Sequence, residues 1–125
     1  MSDRREINKA IANHGYWKVR LNDAIETGNS EWSPEKVRQD DLCNFGKWFY
    51  ALSPEEKASE FWKKVQPLHA QFHREAAKVL KLALDGHKDE AFALTTDMRG
   101  DFLRLSMELT NALHAWMMAC PEENP

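Results

Sequence analysis

Residues 67–84 read PLHAQFHREAAKVLKLAL, a pattern typical of a helix with one apolar side. Nothing after Pro67 in this stretch breaks a helix. His69 and His73 stand four positions apart, a spacing that places both imidazoles on the same helix face. Three residues continue that face toward a core: Ala76, Ala77 and Leu80. The stretch therefore predicts a helix with two histidines on its inner side.

The rest of the chain is helical in character as well. Valine and threonine are sparse, no strand-like alternation persists, and helix-breaking residues occur in well-spaced clusters. The pattern predicts these elements in order: a helix over residues 3–27 ended by Gly28, a loop over 29–38 with a short turn after Pro34, a helix over 40–52, a short helix over 54–65, a helix over 67–84, and a last helix over 88–118 that contains Gly100.

Two prolines mark the limits of the central helices. Ser53-Pro54-Glu55-Glu56 forms an S-x-x-E capping box with proline at the first helical position, which predicts a helix start at Pro54. Pro67 lacks an N–H and is expected to break or kink the chain. The elements together predict an all-α fold, an up-and-down four-helix bundle with one extra short helix. We expect residues 1–120 to form a single domain and residues 121–125 to form a polar tail.

The composition excludes several classes of protein. A chain of 125 residues with 42% hydrophobic and 30% charged residues has the balance of a globular protein with one core. A net charge of -3 argues against a nucleic-acid interface, which needs a basic surface. No apolar run approaches the ~18 residues of a membrane span, and the N-terminal MSDRREINKA lacks the apolar segment of a signal peptide. We therefore expect a cytoplasmic protein with neither nucleic-acid nor membrane partners.

Four residues are candidate metal ligands. His14 lies on or beside the apolar stripe of the first helix, and Cys43 lies at the start of the second, where helix-terminal N–H groups favour a thiolate. With His69 and His73 they provide three imidazoles and one thiolate, a set that tetrahedral zinc accepts. Each residue alone also fits an ordinary helical core, since a lone cysteine is usually a small hydrophobe and single histidines are usually hydrogen-bonded there.

Five neighbouring residues are candidates for support of such a site. Trp17 and Trp48 are large apolar side chains that can shield a metal from water. Gly46, one turn after Cys43, leaves room for a close approach of another segment. Asp40 and Asp41 precede Cys43 and can accept an imidazole N–H or act as helix caps.

Three motifs in this order resemble the chemoreceptor zinc-binding domain family. They are HGYWK at residues 14–18, CNFGKW at 43–48 and HAQFH at 69–73. The family pattern is a His followed three residues later by Trp-Lys, then C-x-x-G-x-W, then H-x-x-F/M-H. The resemblance, which covers roughly residues 5–115, implies a four-helix bundle that holds Zn2+ through His14, Cys43, His69 and His73, usually in a homodimer. The chain looks like a stand-alone member of the family.

A site with four protein ligands argues against an enzyme. Catalytic zinc keeps one coordination position open for water or substrate. The chain also lacks H-E-x-x-H, a glycine-rich phosphate loop and the E-x-x-H spacing of di-iron bundles around its histidine pair.

Three functional interpretations remain open at the level of sequence. Zinc can act as a switch, with its occupancy or the oxidation of Cys43 changing how helices pack. Zinc can instead be purely structural, a staple that links the helices of a small bundle and contributes to its folding free energy. In the third interpretation the bundle is an interaction module without metal. The family resemblance favours the switch, since such domains accompany chemoreceptors and diguanylate cyclases. A stand-alone member would act through dimerisation or by binding a separate receptor, cyclase or kinase.

Overall fold

Seven helices make up residues 3–120, the part of the chain that this computed structural model describes. Their bounds are α1 Arg4–Thr27, α2 Pro34–Val37, α3 Asn44–Tyr50, α4 Pro54–Lys57, α5 Glu60–Leu84, α6 Lys88–Thr96 and α7 Asp101–Ala119. No strand occurs within residues 3–120, so the predicted all-α class is confirmed. The polar tail predicted over residues 121–125 lies outside the described residues.

The three longest helices build the core. α1, α5 and α7 each pack against the other two, and α6 lies against all three of them. α2 and α4 pack on α5, while α3 packs on α1. The detailed four-helix arrangement is not confirmed, because only three of the described helices are longer than nine residues. None of the helices within residues 3–120 has the length and apolar character needed to cross a membrane.

The helix starts and ends predicted from capping residues are largely confirmed. Gly28 ends α1 in the left-handed conformation with φ 73°, and its N–H donates to the carbonyl of Ala24. The turn expected after Pro34 is α2, capped by the Ser33 side chain. The Ser53 side chain caps α4 by accepting from the N–H of Glu56, as the capping box predicts.

The second predicted helix is shorter than expected. α3 begins at Asn44, because residues 40–42 form turns and bends and Cys43 has the extended backbone of an N-cap, with φ -74° and ψ 157°. The Cys43 sulfur accepts from the N–H of Gly46 at 3.2 Å, which takes the place of a serine cap. The site region therefore consists of a turn followed by a short helix.

The predicted break at Pro67 is wrong, since α5 runs from Glu60 to Leu84 without interruption. The chain breaks earlier instead, where α4 ends at Lys57 and the Ser59 side chain caps α5. A proline inside a helix costs about 3 kcal/mol through the lost hydrogen bond and the ring clash. Pro67 is exposed, while Val65 and His69 on either side of it are fully buried. Burial of these flanking turns against the core outweighs the local cost.

The predicted single last helix is also wrong. Residues 97–100 separate α6 from α7, and Gly100 is the N-cap of α7 rather than an interior residue. The Asp97 carboxylate accepts from the N–H of Arg99, and the Asp97 carbonyl accepts from the N–H of Gly100 at 3.0 Å. These local bonds compete with a continuous helix. Phe92 on α6 and Met98 in this connection are 52% and 84% exposed.

We expect Pro67→Ala to raise the free energy of unfolding by roughly 1–3 kcal/mol, because alanine restores the N–H that an interior helical position uses. The measurement is urea unfolding followed by far-ultraviolet circular dichroism. Pro54→Ala is the matched control, since Pro54 stands at the first position of α4, where no intrahelical N–H bond is lost. Equal changes in the two variants would contradict this account of α5.

Candidate metal centre

Four side chains from three segments meet inside the core. His14 comes from α1, Cys43 precedes α3, and His69 and His73 come from α5. One nitrogen or sulfur donor atom from each of the four lies within 4.8 Å of the other three. The three histidines are 5% or less exposed, and Cys43 is half-buried. The structure thus brings together the four residues that the sequence singled out as candidate ligands.

Backbone carbonyls orient two of the imidazoles. His14 Nδ1 lies 2.7 Å from the carbonyl oxygen of Ala10, and His73 Nδ1 lies 2.8 Å from that of Val37. A carbonyl oxygen only accepts, so each Nδ1 carries the proton and donates it. The Nε2 atom of both rings is left with a free lone pair. This outer hydrogen bond is the arrangement that metal-binding histidines usually have.

Two of the distances between donor atoms match those of a tetrahedral zinc site. His69 Nε2 lies 3.1 Å from His73 Nε2 and 3.5 Å from the Cys43 sulfur. With Zn–N of about 2.0 Å and Zn–S of about 2.3 Å, a tetrahedron separates two nitrogens by about 3.3 Å and a nitrogen from a sulfur by about 3.5 Å. Borderline-soft zinc also suits a thiolate with imidazoles better than Mg2+ or Ca2+ does. The contacts of His69 with His73 and Cys43 therefore fit zinc in distance, and the whole donor set fits it in chemistry.

Glycine at position 46 is required by the backbone that precedes the cysteine. A β-carbon at Gly46 would lie 1.9 Å from the carbonyl oxygen of Asp40 and 3.0 Å from the α-carbon of Asp41. The turn over residues 40–43 therefore crosses directly over the first turn of α3. This close approach explains the glycine of C-x-x-G.

Burial keeps the three imidazoles neutral at neutral pH. Loss of solvent lowers the pKa of His14 to about 4, with a smaller contribution from the nearby His73. Desolvation also lowers the pKa of His69 and of His73. Neutral imidazole is the form that binds a metal, so these three rings are ready to act as ligands without losing a proton.

The Cys43 thiol behaves differently from the sequence prediction, which expected a lowered pKa at the start of a helix. Burial raises the pKa of the Cys43 thiol, and the hydrogen bond from the Gly46 N–H opposes that shift only in part. The N–H groups at the helix start lower the pKa of the thiol, but burial raises it by more. Metal binding at Cys43 therefore requires release of a proton.

Phenylalanine rings lie directly against the imidazoles. The ring of Phe45 contacts His14 and His69, and the rings of Phe49 and Phe72 each contact one or more of the histidines. Trp17 packs on Trp32, and Trp48 packs on Phe45 and Trp116. Sequence reasoning missed the phenylalanines, although Phe45 and Phe72 stand inside the CNFGKW and HAQFH motifs.

The two aspartates before Cys43 have different surroundings. Asp40 lies beside the site, with its Oδ2 atom 3.6 Å from His69 Nδ1, and it accepts a hydrogen bond from the Tyr50 hydroxyl. Asp41 is exposed. Sequence reasoning did not single out Tyr50, seven residues after Cys43.

The remaining histidines and the second cysteine do not join the cluster. His114 is exposed on α7. His87 is the N-cap of α6 and lies 3.9 Å from the Glu90 carboxylate. Cys120 is buried at the end of α7. The described residues therefore contain one group of three or more metal-ligating side chains.

An all-α fold with three imidazoles and a thiol converging in its core defines a zinc-binding helical domain. The family model that matches the chain is the chemoreceptor zinc-binding domain, over residues 14–80. That match spans more than half of the sequence and includes all four clustered side chains, so the chain belongs to the chemoreceptor zinc-binding domain family. No curated protein and no solved structure matches the chain.

We expect Gly46→Ala to lower the free energy of unfolding by roughly 3 kcal/mol and to weaken zinc binding, because the added methyl group collides with the Asp40 backbone. Unfolding curves and zinc content after dialysis measure the two effects. Gly15→Ala is the control, since a β-carbon there meets nothing within 4 Å and alanine should stabilise α1 by about 0.5–1 kcal/mol. A tolerated Gly46→Ala would contradict the close approach.

Proposed function

We propose that the protein binds one Zn2+ through His14, Cys43, His69 and His73. The observation that carries this proposal is the convergence of their four donor atoms within 4.8 Å in a chain of this family. Zinc, when bound, would keep Cys43 as a thiolate and hold α1, α3 and α5 together through their side chains. We further propose that residues 1–120 act as a single domain.

The proposed site serves regulation rather than catalysis. Four protein ligands complete a tetrahedron and leave no position for water or substrate. The histidines are almost fully buried and are enclosed by Phe45, Phe49 and Phe72, which limits the access of a substrate. We therefore propose a non-enzymatic domain.

We propose that the domain responds to zinc level or to oxidation of Cys43. Cys43 is the most exposed of the four ligands, so a small oxidant reaches it more easily than the imidazoles. Peroxide would transfer one oxygen atom to the thiolate, giving a sulfenic acid and hydroxide, and the product is a weaker zinc ligand. Because Cys43 is also the N-cap of α3, loss of its bond to the metal would disturb the start of that helix.

The proposed output is a change in helix packing that a partner detects. α3 packs on α1, and Trp62 of α5 stacks on Phe49 and donates to its carbonyl oxygen at 3.1 Å. A shift of α3 would therefore change its packing against both α1 and α5. We propose that the protein acts as a homodimer or with a separate signalling partner, in a chemotaxis or diguanylate cyclase system, as the family resemblance implies.

A structural zinc staple is the second candidate function. The observation that favours it is that the ligands come from three separate segments of a small core. Zinc binding across them would contribute directly to the folding free energy. The staple and the switch share the same ligands and differ in whether zinc occupancy changes under physiological conditions.

We expect one zinc per chain at neutral pH, and we expect Cys43→Ala to lose most of it while Cys120→Ala keeps it. Cys43 provides the thiolate of the cluster, whereas Cys120 lies outside it. Elemental analysis of protein dialysed against metal-free buffer gives the stoichiometry. Equal zinc content in the two variants would rule out the proposed ligand set.

A zinc titration separates the switch from the staple. With free zinc buffered from nanomolar to micromolar, the switch predicts partial occupancy within this range and zinc release after peroxide or hypochlorous acid. Occupancy is followed by elemental analysis, and the oligomeric state by analytical ultracentrifugation. Cys120→Ala shows whether oxidation of the other thiol contributes. A site that stays full and unmodified throughout would support the staple.

A further inference from the structure

His69 Nδ1 is a buried polar atom without a hydrogen bond. It is the one such side-chain nitrogen or oxygen among residues 3–120, and the His69 side chain is fully buried. A buried N–H without an acceptor costs about 1–3 kcal/mol, so the surroundings of this atom need an explanation. The other two histidines of the cluster each place Nδ1 against a backbone carbonyl.

The protonation state that zinc binding requires puts a hydrogen on this atom. His69 Nε2 faces the cluster, 3.1 Å from His73 Nε2 and 3.5 Å from the Cys43 sulfur. Ligation through Nε2 needs its lone pair, so the proton of the neutral ring must be on Nδ1. The Asp40 carboxylate, with Oδ2 3.6 Å from Nδ1, is the acceptor on that side.

A short chain of hydrogen bonds holds this carboxylate. The Tyr50 hydroxyl donates to the same Oδ2 atom of Asp40, and the Gln66 amide donates to the Tyr50 hydroxyl at 3.4 Å. Gln66 stands three residues before His69 on α5. This series of side-chain contacts therefore begins and ends on α5, one helical turn apart. Between these two points it passes through α3 and the turn before Cys43.

We propose that Tyr50 is a positioning residue for the zinc site, which holds the Asp40 carboxylate where it receives the proton of His69 Nδ1. The proposal rests on the zinc site proposed above and adds a function for a side chain that is not itself one of the four candidate ligands. An approach of a few tenths of an ångström brings the 3.6 Å separation into hydrogen-bond range.

The surroundings of Tyr50 suit this role. Burial and the neighbouring Asp40 raise the pKa of the Tyr50 hydroxyl to about 12, so it remains a donor at neutral pH. The Asp40 side chain is 21% exposed and would otherwise turn toward water. The Tyr50 ring packs against Phe49 and Trp62, which fixes the hydroxyl in place and leaves that packing intact when only the hydroxyl is removed.

The test compares Tyr50→Phe with Tyr16→Phe by chelator competition for zinc at neutral pH. Loss of an outer-shell partner of a ligating histidine costs on the order of 10–100-fold in metal affinity, and for the indirect loss in Tyr50→Phe we expect roughly a 10-fold weakening. Tyr16→Phe makes the same chemical change at an exposed tyrosine of α1 and should leave the affinity unchanged. An unchanged affinity in Tyr50→Phe would overturn the proposal.

A double-mutant cycle distinguishes positioning from a purely structural role. If Tyr50 acts through Asp40, the double variant Asp40→Ala/Tyr50→Phe should bind zinc about as weakly as Asp40→Ala alone. Asp41→Ala, at the exposed neighbouring carboxylate, is the control for Asp40→Ala. The proposal would be overturned if the losses of zinc affinity in the two single variants simply added in the double variant. It would also be overturned if Tyr50→Phe lowered the free energy of unfolding of the metal-free protein by enough to account for the whole change in affinity.

The Cys43→Ala variant separates failure of this inference from failure of the zinc site. If Cys43→Ala loses zinc while Tyr50→Phe keeps wild-type affinity, the site stands and the positioning role of Tyr50 is overturned. If Cys43→Ala keeps zinc with full affinity, the ligand assignment is wrong. The proposed role of Tyr50, which depends on that assignment, is then overturned as well. Cobalt spectra of the wild type and Tyr50→Phe provide a second readout, since a displaced His69 ring would change the ligand-field bands.

Discussion

Three imidazole nitrogens and a thiol sulfur meet inside an apolar core, and the centre of this fold depends on how these atoms interact. His69 Nε2 lies 3.1 Å from His73 Nε2, and two lone pairs at that distance repel each other unless a proton or a cation lies between them. Buried polar atoms of this kind are costly without a partner. Because the donors come from α1, from the turn before α3 and from α5, a shared cation would link three segments that also pack through apolar side chains.

The outer contacts of the ligands extend this link to smaller elements. His73 donates to the Val37 carbonyl, which ties the end of α2 to α5, and His14 donates to its own helix at Ala10. The turn before Cys43 crosses α3 so closely that only glycine fits at position 46. The rings of three phenylalanines surround the imidazoles, and the desolvation they help to produce lowers histidine pKa values and raises that of Cys43. The same burial thus prepares the imidazoles for zinc and makes binding at the thiol depend on proton release.

The fold could be predicted from local signals where local energies decide it. Gly28, Ser33 and Ser53 end or begin helices as their capping chemistry predicts, because a cap acts within one turn of the chain. Prediction failed where tertiary or competing local interactions outweigh helix propensity. α5 continues through Pro67 because the turns around it are buried, and the last helix divides at residues 97–100 because Asp97 bonds to the backbone that follows it.

For the site, the sequence by itself determined which residues are the candidate ligands. His14, Cys43, His69 and His73 are recognisable from residue type, helical spacing and their motifs, since donor chemistry belongs to the side chain. Only the tertiary structure decided what surrounds them. The pairing of His73 with Val37, the approach of Asp40 to His69 and the hydrogen bond from Tyr50 join residues that no local spacing relates. Their positions follow from how α2, α3 and α5 pack, and packing depends on the whole core rather than on any one segment.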